Sequence, residues 1–162
     1  TMARIAREIE RDETHFKPMI DMDMVSVNHE ITAQLARSAV RASTNLPVKY
    51  VVLDTKTGRT GRYLAAFRGR KTVMAVCYQL HAQRILALSY GVVPILRNQE
   101  LRDKYHFLID ALEFLDQYSK LADDDLLAIV GGSFGPDGGA SYIEFASVRN
   151  IRRRNAEIEA HK

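Results

Sequence analysis

The sequence contains one cysteine, Cys77, no tryptophan and no long hydrophobic run. A single cysteine excludes a disulfide framework within the chain and is typical of a reducing compartment. The longest apolar runs, such as residues 126–130, are far shorter than the roughly 20 residues of a membrane-spanning helix, and no charged-then-apolar leader opens the chain. The length of 162 residues, 46% of them hydrophobic, fits one globular domain with a sizeable core. We therefore expect a soluble cytoplasmic protein without a membrane partner.

An excess of one charge sign is confined to the end of the chain. Residues 149–162 contain five basic and two acidic side chains, which account for the whole net charge of +3. Proteins that bind nucleic acids tend to carry aromatic residues among their basic ones, and this segment has none. We expect a solvated basic tail rather than an interaction segment, and no nucleic-acid partner.

The hydrophobic pattern alternates between helical and strand periods along the chain. The strands are almost continuously apolar, as expected of strands buried on both faces of a parallel sheet, and no helix separates the last two. We therefore expect an α/β fold: a three-layer αβα sandwich around a mostly parallel five-stranded sheet of order 3-2-1-4-5, with the last strand antiparallel. The predicted helices cover residues 2–10, 27–43, 62–67, 79–88 and 101–118, and the predicted strands cover residues 50–53, 72–76, 92–95, 126–130 and 142–148.

The segment of residues 54–61, Asp-Thr-Lys-Thr-Gly-Arg-Thr-Gly, follows the first predicted strand and leads into a helix. Ligands of open α/β sheets bind outside the carboxyl ends of the strands. Three hydroxyl groups, two cationic side chains and the free amides of a helix N-terminus together favour a bound phosphate. The alternative is an ordinary turn, in which Thr60 caps the helix and Gly58 supplies a positive φ. The segment lacks the Gly-Lys-Ser/Thr ending of a P-loop.

A second loop, residues 131–141, contains five of the nine glycines of the chain. A tight hairpin needs only one or two, so this segment is either a ligand-binding loop with exposed amides or a flexible connection. If the fourth strand lies beside the first, the two loops meet at one edge of the sheet.

The other chemistry-bearing residues form no recognisable site. The five histidines have no metal-ligand spacing, and residues 123–125 form an acidic run that is typical of a solvated turn. Cys77 is expected to be a partly buried small side chain. No spacing offers a Ser/His/Asp or Cys/His arrangement, so we predict neither a catalytic residue nor a metal site in this chain.

Residues 50–96 carry a series of linked motifs. These are Thr-Lys-Thr-Gly-Arg-Thr at 55–60, Phe-Arg-x-Arg at 67–70, Ala-Val at 75–76 and Tyr-Gly-Val-x-Pro at 90–94. The series resembles the C-terminal domain of pyruvate kinases. Residues 27–42 look like the first helix of that domain, and residues 1–10 are similar to the helix that closes the catalytic barrel in the same family.

The resemblance implies a fragment, in which residues 1–25 are the end of the barrel helix and a linker, 26–148 the C-terminal domain and 149–162 a basic tail. In the family, phosphoenolpyruvate donates a phosphoryl group to ADP on the barrel and its lid domain, with Mg²⁺ and usually K⁺. This chain would then be the regulatory and oligomerisation part of a pyruvate kinase, without catalytic residues or a cofactor of its own. A homotetramer would form through paired C-terminal domains. The alternative is a standalone domain that binds a small ligand without kinase activity.

The resemblance also implies a site for a phosphorylated small-molecule effector. Members activated by fructose 1,6-bisphosphate hold the second phosphate with a tryptophan and an arginine near the long helix. Here tryptophan is absent and Phe107 stands in place of the arginine, so Arg97 or Arg102 would have to substitute. A bisphosphate, a monophosphate and no effector remain alternatives. The residues that correspond to the first phosphate site are Thr55, Lys56, Thr57, Gly58, Arg59 and Thr60, and those of the loop that closes over the sugar are Gly135, Gly138, Gly139 and Ser141.

Overall fold

The computed structural model describes residues 2–11, 19, 30–97, 106–132 and 139–160. Each predicted element is present, with ends shifted by a few residues, and a further helix follows the last strand. The predicted starts of the second helix at residue 27 and of the fifth helix at residue 101 lie outside the described residues. The elements are α1 (Met2–Arg11), α2 (Ile31–Asn45), β1 (Val48–Thr55), α3 (Arg59–Ala66), β2 (Val73–Cys77), α4 (Leu80–Ala87), β3 (Val92–Leu96), α5 (His106–Ser119), β4 (Leu126–Gly131), β5 (Tyr142–Ser147) and α6 (Val148–Ala160).

The strands form a sheet of order β3-β2-β1-β4-β5, with β1 to β4 parallel and β5 antiparallel to β4. This order confirms the predicted α/β architecture. All five residues of β2 and the last five of β1 are buried, because helices cover both faces of the sheet. That double burial explains the continuous apolar character of these strands. β1 and β4 lie side by side, with Leu53 paired with Val130.

Two hydrophobic cores join the sheet to its helical layers. Successive residues of a strand point to opposite faces, so Val51 belongs to the first core and Val52 to the second. The first core contains buried residues of α2, α3 and α4, for example Leu64. The second contains buried residues of α5 and α6, for example Leu115 and Ile151. The result is the three-layer sandwich that the pattern predicted.

Residues 149–160 continue a helix, α6, and the expectation of a solvated tail does not hold for its first turn. Val148 and Ile151, in the first turn of α6, are completely buried in the core that α6 shares with α5. Their spacing of three residues places them on one helix face, a pattern that the abundance of charge obscured. The positive charge of this segment is also compensated by acidic side chains of the domain. The ion pairs are Arg149 with Asp124, Arg152 with Asp116 and Asp123, and Arg154 with Glu144.

The first helix, α1, forms where the sequence predicted it and is exposed at residues 2–9 and 11. Met2, Ile5 and Ile9 lie on one side of it at helical spacing and are all more than half exposed. Among the described residues, no helix combines the length and the apolar character needed to cross a membrane.

Candidate anion-binding site

Two loops meet at the carboxyl edge of the sheet. Residues 55–60, which we call the threonine loop, connect β1 to α3. Residues 131–141, the glycine loop, connect β4 to β5. Because β1 and β4 are parallel neighbours, their carboxyl ends lie at the same edge. The predicted condition for the two loops to meet, that the fourth strand lies beside the first, is therefore confirmed.

Hydrogen bonds to threonine hydroxyls fix the backbone of the threonine loop. The Gly58 amide donates to Oγ1 of Thr55 over 3.0 Å, and the Arg59 amide donates to Oγ1 of Thr57 over 3.4 Å. Gly58 has a φ of +79°, the left-handed conformation that glycine adopts without strain, as predicted. The predicted capping by Thr60 is wrong, because α3 begins earlier: Gly58 is the N-cap residue, and Thr60 is buried within the first turn.

The amino end of α3 presents hydrogen-bond donors and a cation to the same space. The amides of Thr60 and Gly61 have no acceptor within α3, because the residues four positions back precede the helix. The helix dipole adds a partial positive charge at this end. The side chains of Thr57 and Arg59 are exposed, and Lys56 is half-buried. This combination of amide, hydroxyl and cationic donors is suited to a phosphate group.

The guanidinium of Arg59 lies close to residues from two other parts of the chain. Its Nη1 atom is 3.2 Å from Oε1 of Glu30, the residue immediately before α2. A Cβ atom added at Gly139 would be 2.8 Å from Nη2 of Arg59 and 2.6 Å from Oγ1 of Thr32. Glycine, with a φ of +75° here, therefore allows the glycine loop to approach both side chains. Sequence reasoning missed Glu30 and Thr32, because nothing local connects them to the threonine loop.

A tyrosine one turn further along α3 holds the carboxylate of Glu30. The Tyr63 hydroxyl donates a hydrogen bond to Oε2 of Glu30. This bond, partial burial and the negative charge of Glu30 raise the pKa of Tyr63 above its ordinary value of 10.0. The hydroxyl therefore stays protonated at neutral pH and continues to donate. Arg59, Tyr63 and Glu30 together form what we call the Glu30 cluster.

The described part of the glycine loop consists of its two ends. The Ser141 amide donates to the Gly131 carbonyl over 2.8 Å, which closes the base of the loop. Gly131 itself packs against the ring of Tyr142, where a Cβ atom would overlap the tyrosine side chain. Gly135 and Gly138, both predicted to contact an effector, lie outside the described residues.

Of the residues considered for a second phosphate, the structure describes Phe107 and Arg97. Phe107 is buried in the core around α5. The Nε atom of Arg97 donates to Oδ1 of Asp110 over 3.1 Å, so its guanidinium already has a carboxylate partner. Arg102 lies outside the described residues.

Buried titratable side chains occupy the ends of β1 and β2. Asp54 is 8% exposed, and burial raises its pKa from 3.8 to about 6. Burial raises the pKa of the Cys77 thiol to about 12, which keeps it protonated and unreactive. No group of three His, Cys, Asp or Glu side chains within the described ranges could hold a metal ion.

The model of a known family, described as "Pyruvate kinase, alpha/beta domain", matches residues 33–144, more than half of the chain. The chain belongs to this family. The match contains both the threonine loop and the glycine loop of this pyruvate kinase alpha/beta domain, whereas Glu30 and Thr32 precede it.

Curated pyruvate kinases are similar to this domain over much of its length. That of Borreliella burgdorferi is 25% identical over 158 residues, 95% of this chain and 32% of the relative. That of Lactobacillus delbrueckii subsp. bulgaricus is 26% identical over 121 residues, 74% of this chain and 20% of the relative. Pyruvate kinase PKLR of Rattus norvegicus is 33% identical over 93 residues, 57% of this chain and 16% of the relative. The chain thus spans a third or less of the length of these relatives.

Proposed function

We propose that this domain binds the phosphate group of a small phosphorylated effector at the threonine loop, with the glycine loop closing over the rest of the ligand. The observation that supports this most directly is that Arg59 and Gly139, from the two loops, approach each other at the amino end of α3. β1 and β4 lie where the strand order of the sheet reverses, which is where open α/β sheets bind ligands.

The donors at this site are sufficient for useful affinity. The Arg59 guanidinium, the Thr57 hydroxyl and the first amides of α3 would each bond a phosphate oxygen. A hydrogen bond to a charged group is worth about 1.5–3 kcal/mol, so three of them correspond to a dissociation constant between roughly millimolar and micromolar. The rest of the loop supports this site: Lys56 adds positive charge, Gly58 provides the turn with positive φ, and Thr60 packs in the first turn of α3. Ser141 would contribute from the end of the glycine loop.

We further infer that the domain is the regulatory and oligomerisation part of a cytoplasmic pyruvate kinase that transfers a phosphoryl group from phosphoenolpyruvate to ADP. Family membership and the names of the relatives support this. Mg²⁺ and K⁺ would belong to the catalytic part of that enzyme. An effector can shift the equilibrium between two states of such an enzyme only through different affinities for them. The alternative, a standalone ligand-binding domain, would have no barrel encoded upstream of residue 1.

Self-association of the domain, as in a homotetramer, is supported by the exposed edge of the sheet. β5 is an edge strand, and an edge presents unpaired backbone groups that favour pairing with a second copy. Phe145 of β5 is 37% exposed. We expect Phe145→Glu to lower the average molecular mass measured by light scattering. The two proteins are compared at the same concentration, because the fraction of oligomer depends on protein concentration. A matched change at exposed Tyr118 on α5 should leave the mass unchanged. An unchanged mass for Phe145→Glu would exclude this edge as the interface.

The effector proposal is tested by a thermal-shift panel with fructose 1,6-bisphosphate, hexose monophosphates, ribose 5-phosphate, AMP and inorganic phosphate. A ligand at a hundred times its dissociation constant adds about 2.7 kcal/mol to the free energy of unfolding. For a domain of this size that raises Tm by roughly 5 °C or more.

Arg59→Gln and Thr57→Ala should each reduce the shift, because each removes one phosphate donor. Arg84→Gln is the matched control, since Arg84 is an exposed arginine in the last turn of α4 and its loss changes the net charge equally. A shift that survives in Arg59→Gln and Thr57→Ala would place the ligand elsewhere. The absence of a shift with every ligand, in the domain and in the parent enzyme, would refute the effector site.

A further inference from the structure

The cationic side chain of the proposed phosphate site already has an anionic neighbour within the chain. Arg59 lies 3.2 Å from the carboxylate of Glu30, and Tyr63 fixes the second oxygen of that carboxylate. We propose that Glu30 is an internal anionic competitor for Arg59 that sets how tightly the site binds a phosphorylated ligand. This inference rests on the proposed function.

The placement of Glu30 indicates a role at the loop rather than at its own helix. Glu30 is the N-cap residue of α2, yet its side chain makes no hydrogen bond to the amides of α2. It reaches instead to the first two turns of α3, where it contacts Arg59 and Tyr63. The carboxylate therefore adds negative charge beside the helix end at which a phosphate would bind.

Glu30 and Arg59 form a close ion pair without the geometry of a hydrogen bond. Among the described residues, Oε1 of Glu30 is a buried oxygen that accepts no hydrogen bond, although Nη1 of Arg59 is 3.2 Å away. The donors of Arg59 are thus not aligned with the carboxylate, and they can be offered to another anion. Both side chains also remain partly exposed, at 46% for Arg59 and 32% for Glu30. A ligand can therefore reach the guanidinium without unfolding the site.

A phosphate at the amino end of α3 would share Arg59 with this carboxylate. Like charges that share one cation repel each other, and the effect is larger near a protein surface than in bulk water. Glu30 therefore lowers the affinity for every phosphorylated ligand, and most strongly for one with few hydroxyl groups to offer the carboxylate, such as inorganic phosphate. A sugar phosphate would lose less, because its hydroxyl groups can donate to Glu30. Glu30 thus favours phosphorylated sugars over the bare ion.

The experiment is calorimetric titration of the domain with inorganic phosphate and with a hexose monophosphate, fructose 6-phosphate, which carries the same number of phosphate groups. Glu30→Gln keeps the shape of the side chain and removes its charge. We expect its affinity for inorganic phosphate to rise by about tenfold or more, within the usual range of coupling between two ligands, and the affinity for the sugar phosphate to rise by a smaller factor. Glu113→Gln, an exposed glutamate on α5 at the opposite face, is the control for net charge. Adding Arg59→Gln to Glu30→Gln should abolish the gain.

Glu30→Ala removes the same charge by a different substitution, and it decides the result if Glu30→Gln does not fold. An affinity for inorganic phosphate that is unchanged or lower in the folded variants, while the unsubstituted domain binds through Arg59, would overturn this inference and leave the effector site standing. An equal gain for both ligands would show competition without the preference for sugars. If neither ligand binds to the domain or to its Glu30 variants, this inference is wrong, and the effector site is refuted as well when the whole ligand panel also fails with the parent enzyme.

Discussion

The buried carboxyl group of Asp54 makes the stability of this domain depend on pH. Asp54 lies near the end of β1 and is 8% exposed, and burial raises its pKa from 3.8 to about 6. The folded state therefore holds the proton more tightly than the unfolded state. The contribution of Asp54 to stability is highest at acidic pH, falls as pH rises from about 4 to about 6, and is constant above that range. Since a tenfold change in proton affinity corresponds to about 1.4 kcal/mol, ionisation of Asp54 costs about 3 kcal/mol at pH 7.5.

We expect Asp54→Asn to remove this dependence, because the amide has the shape of the protonated acid and no charge. Urea unfolding followed by circular dichroism measures the free energy of unfolding between pH 4.5 and pH 7.5. Across this range the contribution of Asp54 falls by about 2 kcal/mol in the unsubstituted domain, and this part of the decline should be absent from Asp54→Asn.

The control for this experiment is Asp124→Asn, which removes an aspartate that is 86% exposed in its pair with Arg149. An exposed pair of this kind contributes little, about 0–1 kcal/mol, so the pH dependence should match that of the unsubstituted domain. If Asp54→Asn declines with pH as steeply as the unsubstituted domain, burial of Asp54 is not the cause and the reasoning is refuted.

Three further substitutions test the packing of the helices. Gly61→Ala would place a Cβ atom 2.8 Å from Cδ2 of Leu86 on α4. We expect it to lower the free energy of unfolding in urea by about 1–3 kcal/mol. A gain in stability, from the better helix propensity of alanine, would show that Leu86 can move away at little cost. Ile151→Ala should lower the free energy of unfolding by about 2–5 kcal/mol, because this α6 side chain is completely buried in the core shared with α5. A loss below about 0.5 kcal/mol, as for a surface substitution, would mean that α6 does not pack there. Arg152→Gln removes two exposed ion pairs and should cost about 1 kcal/mol or less at low salt, with most of that cost gone at 1 M salt, where the Debye length is about 3 Å.

The central sheet was predictable because a strand that is buried on both faces has an almost continuously apolar sequence. The β2 segment Val73–Cys77 and the β4 segment Leu126–Gly131 are apolar almost throughout, which only strands inside a covered sheet require. The missing helix between β4 and β5 likewise indicated the antiparallel pairing that the structure shows. The extent of α6 was not predictable in this way, because among its described side chains only Val148 and Ile151 are fully buried, and four arginines lie next to them in the sequence.

The phosphate-binding character of the threonine loop could be predicted from the sequence, because its hydrogen-bond donors are close together in the chain. Residues 55–60 carry their hydroxyl groups, cations and glycine within six positions, and one turn between a strand and a helix suffices to gather them. No local sequence pattern indicates the Glu30 cluster. Its carboxylate meets Tyr63 across 33 positions of sequence, and no periodicity or spacing links the two.

The sequence by itself thus determined which segments form the five strands and the first five helices, that the sheet is mostly parallel, and that one loop is rich in groups that bind phosphate. These properties follow from side-chain periodicity and from residues that are neighbours in the chain. Only the tertiary structure decided that Gly139 approaches Arg59, that Glu30 stands beside the same guanidinium, and that the basic residues of α6 find acidic partners. Each of these depends on how α2, α5 and the strand order bring distant segments together, and contacts between distant segments are set by the packing of the whole domain.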